Sequence, residues 1–309
     1  MQTKEWTKEE KYYELYGGFS LEKADNKEYA KYYAIYLNVD IGFKSSYEQK
    51  YSVVSEDDNC YWIIKDNVRI AGAFLGPNYI EGVFIIPPYQ DIYKVLGILK
   101  EVLLIWSDKS KEIRAVVVSP LEIDYYQRLG FRVSDMGRWM IRPTAEYDIE
   151  WDKKFEVRTP ITDDIDKVGE LFFDAFKNDV GRIKYSLEER TSFIKYYFEN
   201  NSSKELLIRA STTIYDRNTN ELIGVCLVSE YRGWPLIYDI AVKSSFRGKG
   251  LSSRMLKKAI TVSNEKYPAI RLYVQCGNDA ESVYHNLGFM PGIKLTDLYI
   301  PTEIYDDKG

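Results

Sequence analysis

Between an apolar run that ends at Val242 and an amphipathic run that begins at Leu251 stands the segment Arg247-Gly248-Lys249-Gly250-Leu251-Ser252. Its glycines let the backbone turn until several N–H groups converge, and the start of a helix adds the positive end of its dipole. Together they can cradle a pyrophosphate, and Arg247 and Lys249 add full charge for a polyanion. In isolation such a tetrapeptide is a Gly-rich turn with two solvated basic residues. The strand before it, the helix after it and a tyrosine-bearing segment downstream turn the preference toward phosphate binding.

Other chemistries are restricted by what the chain lacks. His285 is the only histidine, so any Ser/His/Asp or Cys/His mechanism would have to pass through it. On a polar helix a lone histidine reads as a solvated surface residue. Cys60, Cys226 and Cys276 are odd in number, far apart and without paired spacing, which argues against a disulfide framework or a metal site and for a reducing cytoplasm. The formal net charge of -5, with no basic run, removes the electrostatic footprint of a nucleic-acid binder. The start is rich in Lys and Glu and has no secretory apolar core, and the stretch from Tyr93 to Trp106 is too short and too interrupted by charge to cross a bilayer.

The 309 residues exceed what one core usually organises, and the chain repeats itself once. Tyr126-Gln-Arg-Leu-Gly130-Phe131 recurs as Tyr284-His-Asn-Leu-Gly288-Phe289, and a strand running into Pro87-Pro88-Tyr89 recurs as one running into Ser244-Ser245-Phe246 at nearly the same offset. The element order recurs too: hairpin, apolar strand, long amphipathic helix, apolar strand, short helix. The polar segment Pro143 to Lys154 sustains neither pattern, so the domains are read as 1–150 and 151–309.

In the second copy Phe155 to Arg158 alternates as a strand, and Thr162, Asp163 and Asp164 offer caps for a helix whose Ile165, Val168, Leu171, Phe172, Ala175 and Phe176 share one face. Ser186 and Glu189 have capping-box spacing. Glu205 to Ile214 and Glu221 to Tyr231 read as strands around a turn at Asp216 to Asn220. Trp234 to Val242, Leu251 to Glu265 and Ala269 to Gln275 read as strand, helix and strand, a crossover that implies parallel pairing.

The stretch from Asp239-Ile-Ala-Val242 to Ser252 resembles motif A of the GNAT superfamily of acyl-CoA N-acyltransferases, written R/QxxGxG/A. Arg247 and Gly250 match, and Ser252 stands where the family usually has Gly or Ala. Asn278-Asp-Ala280-Glu-Ser-Val-Tyr284-His-Asn-Leu-Gly288-Phe289 is similar to the family's NxxAxxxYxxxGF segment at every marked position. Together these motifs cover about Trp234 to Phe289. The first copy resembles the fold in its pattern and in its Tyr-x-x-x-Gly-Phe ending.

The resemblance implies two tandem folds of α/β class, each a mixed central sheet flanked by helices, and acetyl-CoA as co-substrate with no metal. It places the acyl donor between two splayed strands, with the backbone of Ile240, Ala241 and Val242 facing the thioester. Arg247, Gly248, Lys249, Gly250, Leu251 and Ser252 would then hold the pyrophosphate, and Asn278 a pantetheine amide. Tyr284 matches the general acid for the leaving thiolate: a phenol near pKa 10 needs only a modest uphill step to protonate a thiolate of pKa about 8.5. Asp239 is the candidate base, directly or through water, with Glu230 as fallback, and Asp239 can equally be a structural carboxylate.

The expected activity is acetyl transfer to a small-molecule primary amine, the acidic balance favouring a cationic acceptor. A peptide or protein N-acetyltransferase and a non-catalytic acyl-CoA sensor are the alternatives. In place of the glycine loop the first copy has Gln90-Asp91-Ile92-Tyr93-Lys94-Val95, where an anion would meet Asp91 and the bulk of Tyr93, so that copy is expected not to bind CoA. Tyr12, Tyr13, Tyr32 and Tyr33 could line an acceptor cleft, although their helical spacing suits core or groove positions better.

Overall fold

The computed structural model describes residues 4–37, 39–40, 43–178, 181 and 183–302. The chain divides into two compact units, one of residues 1–137 with 293–309, the other of residues 138–292.

The first unit contains β1 (Tyr12–Glu14), β2 (Phe19–Lys23), α1 (Asn26–Tyr36), α2 (Tyr47–Val54), β3 (Cys60–Lys65), β4 (Val68–Gly76), β5 (Tyr79–Ile85), α3 (Ile92–Trp106), β6 (Ile113–Val118), α4 (Ile123–Arg128) and the start of β7 (Arg132–Pro143). The second holds the end of β7, then β8 (Phe155–Arg158), α5 (Ile165–Phe176), α6 (Leu187–Asn201), α7 (Glu205–Ala210), β9 (Thr212–Asp216), β10 (Glu221–Tyr231), β11 (Trp234–Val242), α8 (Leu251–Ser263), β12 (Ala269–Gln275), α9 (Ala280–Asn286) and β13 (Met290–Pro291). The last strand, β14 (Leu295–Ile300), belongs to the first unit.

Each unit is a mixed sheet flanked by helices. In the first the strand order is β1-β2-β3-β4-β5-β6-β14-β7, with β5 and β6 parallel. The apolar face of α3, including Val95, Leu99, Val102 and Leu103, buries against Ile63, Ala71, Ala73 and Ala115. Tyr13 is fully buried in this core and Tyr33 is also buried, whereas Tyr12 is exposed. In the second unit the order is β7-β12-β11-β10-β9-β8. Central β10 shows why its sequence is apolar almost throughout: Ile223, Cys226 and Val228 face the core under α8, while Leu222, Val225 and Leu227 face the core under α5 and α6. A strand covered on both faces has no polar side.

Two expectations are corrected. The boundary lies between Gly137 and Arg138, not near Glu150, and the last strand returns to the first unit instead of closing the second. The polar stretch after Pro143 is a tethered surface loop of the second unit: Thr144 N–H donates to Pro268 O, Tyr147 N–H to Thr261 Oγ1, and Arg254 Nε to Glu150 O. Polarity marked exposure there, not a linker. Secondly, Glu205 to Ala210 is helical, and the strand begins only at Thr212. Glu-Leu-Leu-Ile-Arg-Ala consists mostly of good helix formers, Leu207 and Ala210 bury on one face, and the Ser211 hydroxyl donates to Leu207 O at 2.8 Å as the turn ends. The capping box at Ser186 is formed in both directions.

Candidate functional site

β11 and β12 run parallel only at Leu236↔Arg271 and Ile237↔Leu272. Beyond that the strands diverge, and a cleft of about 1690 Å3 opens between Ile237–Val242 and Leu272–Gln275. Pockets for single small ligands occupy about 300–1,000 Å3, so this one has room for a cofactor and an acceptor together.

A bulge shapes its middle. Leu227 pairs with Asp239 and Val228 with Ile237, which leaves Tyr238 as the extra residue on β11. In a regular strand Tyr238 and Asp239 would point to opposite faces. Here both reach α6: the Tyr238 hydroxyl donates to Phe193 O at 3.5 Å, and Asp239 Oδ2 lies 3.8 Å from Arg190 Nη1. Burial first, then the Asp239 charge, pushes the Tyr238 phenol up.

One end of the cleft is the glycine loop. Gly248 and Gly250 have φ of 75° and 72°, where L side chains are strained. Gly250 is the N-cap of α8, and no side chain among the described residues caps that end. The helix therefore presents its first backbone N–H groups without a carboxylate or hydroxyl upon them. Arg247 is fixed by carbonyls, with Nε 3.3 Å from Val242 O and Nη2 3.4 Å from Ala175 O. A β-branched side chain at Gly250 would carry φ strain and set its Cβ 3.0 Å from Arg254 Nη1. Gly250→Val is accordingly expected to weaken acetyl-CoA binding at least about tenfold by calorimetric titration, each lost or displaced charge-assisted hydrogen bond contributing on the order of 1.5–3 kcal/mol.

The other wall is α9. Tyr284 lines the cleft and is 8% exposed, its ring 6.1 Å from that of Phe289. Gly288 has φ 82°, which lets Phe289 N–H turn back to Tyr284 O at 3.0 Å. The repeat is geometric as well as sequential: Gly130 has φ 91°, Phe131 N–H donates to Tyr126 O at 3.1 Å, and the Tyr126 and Phe131 rings are edge to face at 5.2 Å. The Asn278 side-chain oxygen accepts from Ala280 N–H at 2.9 Å and steadies the start of α9.

Of the residues singled out from sequence, Asp239, Ile240, Ala241, Val242, Arg247, Gly248, Gly250, Leu251, Ser252, Asn278 and Tyr284 all line this one cleft. Lys249 does not. Its ammonium sits 4.4 Å over the Phe246 ring and its carbonyl accepts from Arg254. Ile240 N–H is engaged by Asp239 Oδ1 at 3.1 Å. Glu230 is outside the cleft and accepts from the Tyr267 hydroxyl at 3.1 Å. His285 is exposed and also outside it.

Sequence reasoning missed the contribution of α5 and α6. Arg190 enters the cleft from α6 with its guanidinium 4.9 Å from the ring centroids of both Phe176 and Tyr185. Nothing in the local pattern marks it, because Phe176, Tyr185 and Asp239 come from three separate stretches of chain.

The corresponding place in the first unit is closed. Only about 10 Å3 remains among Gly82, Val83, Val117, Val118 and Tyr126, room for about one water. The Asp91 carboxylate accepts from Lys94 N–H at 2.9 Å and caps α3, so an anion already occupies that helix start. Among the described residues no group of three His, Cys, Asp or Glu could hold a metal, and no helix is long and apolar enough to cross a membrane.

Residues 168–289 match the acetyltransferase (GNAT) family. Streptothricin acetyltransferase A of Bacillus subtilis (strain 168) is 29% identical over 96 residues, 31% of this chain and 44% of that protein. The match therefore spans less than half the length of this curated relative. Among solved structures, a GCN5-related N-acetyltransferase from Sphaerobacter thermophilus superposes over 93% of this chain and 96% of its own, with TM-score 0.66 and 14% identity. A tandem GNAT protein from the clavulanic acid biosynthesis pathway covers 92% and 98%, with TM-score 0.56 and 12% identity. Residues 168–289, most of the second unit, thus match the acetyltransferase (GNAT) family, and the doubled fold of the whole chain is similar to that of a tandem GNAT protein.

Proposed function

We propose that the second unit transfers an acetyl group from acetyl-CoA to a primary amine by direct attack. The observation that carries this reading is the cleft where β12 leaves β11, with an uncapped helix start at one end and the Tyr284 side chain on its wall. The backbone N–H groups of the Gly248 to Ser252 loop, with Arg247, would hold the pyrophosphate. The outer edge of Ile240 to Val242, no longer paired to β12, would receive the pantetheine and the thioester. Asn278 would meet an amide of the donor's arm.

In the reaction the amine nitrogen forms a bond to the acetyl carbon and the carbon–sulfur bond breaks. The ammonium first gives one proton to Asp239 and solvent; the neutral amine then attacks, Tyr284 protonates the departing thiolate, and the second proton lost from nitrogen as the amide forms restores the Tyr284 hydroxyl. A protonated amine and acetyl-CoA thus give an N-acetyl amine, CoA thiol and one proton. The cap on α3 and the filled space around Tyr126 support a single donor site per chain.

Calorimetric titration of acetyl-CoA into the whole protein, followed by an assay of amine-dependent thiol release, tests this. One site per chain and acceptor-dependent release are expected. Two sites would overturn the assignment to the second unit alone, and binding without release for any amine or peptide would make the chain a sensor.

A further inference from the structure

Arg190 lines the cleft and has no part in the reaction just described. Its position is set by rings: the guanidinium lies over Phe176 and Tyr185, Phe176 is stacked on Phe172 with centroids at 5.6 Å, and Tyr185 meets Phe193 edge to face at 5.0 Å. Such a ladder orders the cation through its rings, in addition to the charge of Asp239 beside it. Its distance to Asp239, 3.8 Å, is too long for a hydrogen bond, so the pair is joined by charge alone. Both side chains keep access to the cleft, Arg190 at 19% and Asp239 at 27% exposure.

We infer that Arg190 and Asp239 together recognise an acceptor that carries a carboxylate beside its amine, an amino acid or its close relative. The inference rests on the acetyl-transfer reading and narrows its substrate class. A fixed positive group and a negative group side by side match a zwitterion laid antiparallel to them, ammonium against Asp239 and carboxylate against Arg190. Standard bond lengths put the amine nitrogen of an α-amino acid about 3 Å from its carboxylate oxygens, close to the spacing of the pair. The planar guanidinium can meet a carboxylate with two parallel N–H donors, a contact it does not make with Asp239 at 3.8 Å. The bulge at Tyr238 is what brings Asp239 to this face, so the same irregularity that shapes the cleft assembles the pair. With the ammonium held against Asp239, its first proton has an acceptor before the amine attacks the thioester, and bond changes and proton release are those given above.

The test compares acceptors that differ only in the carboxylate, using the whole protein with acetyl-CoA and a thiol-release assay. Lysine is paired with cadaverine, and phenylalanine with phenethylamine. The expected result is a kcat/KM at least about tenfold higher for the amino acid of a reactive pair, a ratio that collapses toward one in Arg190→Gln and is partly restored in Arg190→Lys. A ratio near one in the unaltered protein, or one that Arg190→Gln leaves in place, overturns the inference while the transfer reading stands. Failure of every acceptor to release thiol from a protein that binds acetyl-CoA overturns both.

Discussion

Ending the chain at Gly292 will unfold the first unit, even though the residues removed follow the whole stretch that matches the GNAT family. β14 is an internal strand there: Leu298 and Ile300 face Ala115 and Ile113 of β6 on one edge, while Leu295 and Leu298 face Gly137 and Val133 of β7 on the other. Leu298 and Ile300 are fully buried and Leu295 nearly so. Burying each such side chain contributes about 1.5–3 kcal/mol, so three of them approach the roughly 5–15 kcal/mol by which a domain is stable at all. The deletion also strips two facing edges of their backbone partners and removes the Asp297 carboxylate that accepts Val117 N–H at 2.9 Å. Limited proteolysis should then cut the first unit rapidly, and its share of the cooperative thermal transition should vanish. A truncated protein that melts like the full chain would show that β14 is dispensable. Leu298→Ala is the milder control, with an expected loss of about 2–5 kcal/mol.

Tyr284→Phe is expected to lower kcat by about 10²–10⁴-fold, the usual contribution of a positioned general acid, with a far smaller change in acetyl-CoA affinity. Phenylalanine preserves the ring against Phe289 and the core beneath α8, so the substitution removes the hydroxyl alone. Steady-state kinetics with the best acceptor, alongside a titration of acetyl-CoA, separates the two effects. A kcat within about threefold of the unaltered protein would end the proton-donor role. Equal losses in affinity and turnover would make Tyr284 a binding residue instead.

The parts of the site written in short contiguous stretches were legible in advance. The glycine loop needs only two residues of positive φ between a strand and a helix, and the Tyr284 segment needs a short helix ended by a left-handed glycine. Both are local rules, and both produced the geometry expected of them. Lys249 shows the limit even there, since its charge was readable but its attachment to the Phe246 ring was not. Arg190 was invisible because its meaning comes from Phe176, Tyr185 and Asp239, which only the folded chain brings together. The bulge at Tyr238 leaves no mark in a run that reads as one apolar strand. The strand assigned to Glu205 failed because Leu and Ile suit either state, and burial on a helical face decided it. The boundary failed for the opposite reason: a polar loop looks the same whether it joins two domains or lies tied across one.

The place of β14 also sets an order of events during synthesis. Chains are made from the N-terminus at about 5–20 residues per second, and domains usually close as they emerge. Here the second unit, residues 138–292, is complete before the first, because the first waits for a strand at 295–300. Until then the facing edges of β6 and β7 are open to pairing with any other unfinished chain nearby, a hazard that lasts through the making of more than half the protein. The first unit is thus the one that registers whether translation has reached β14.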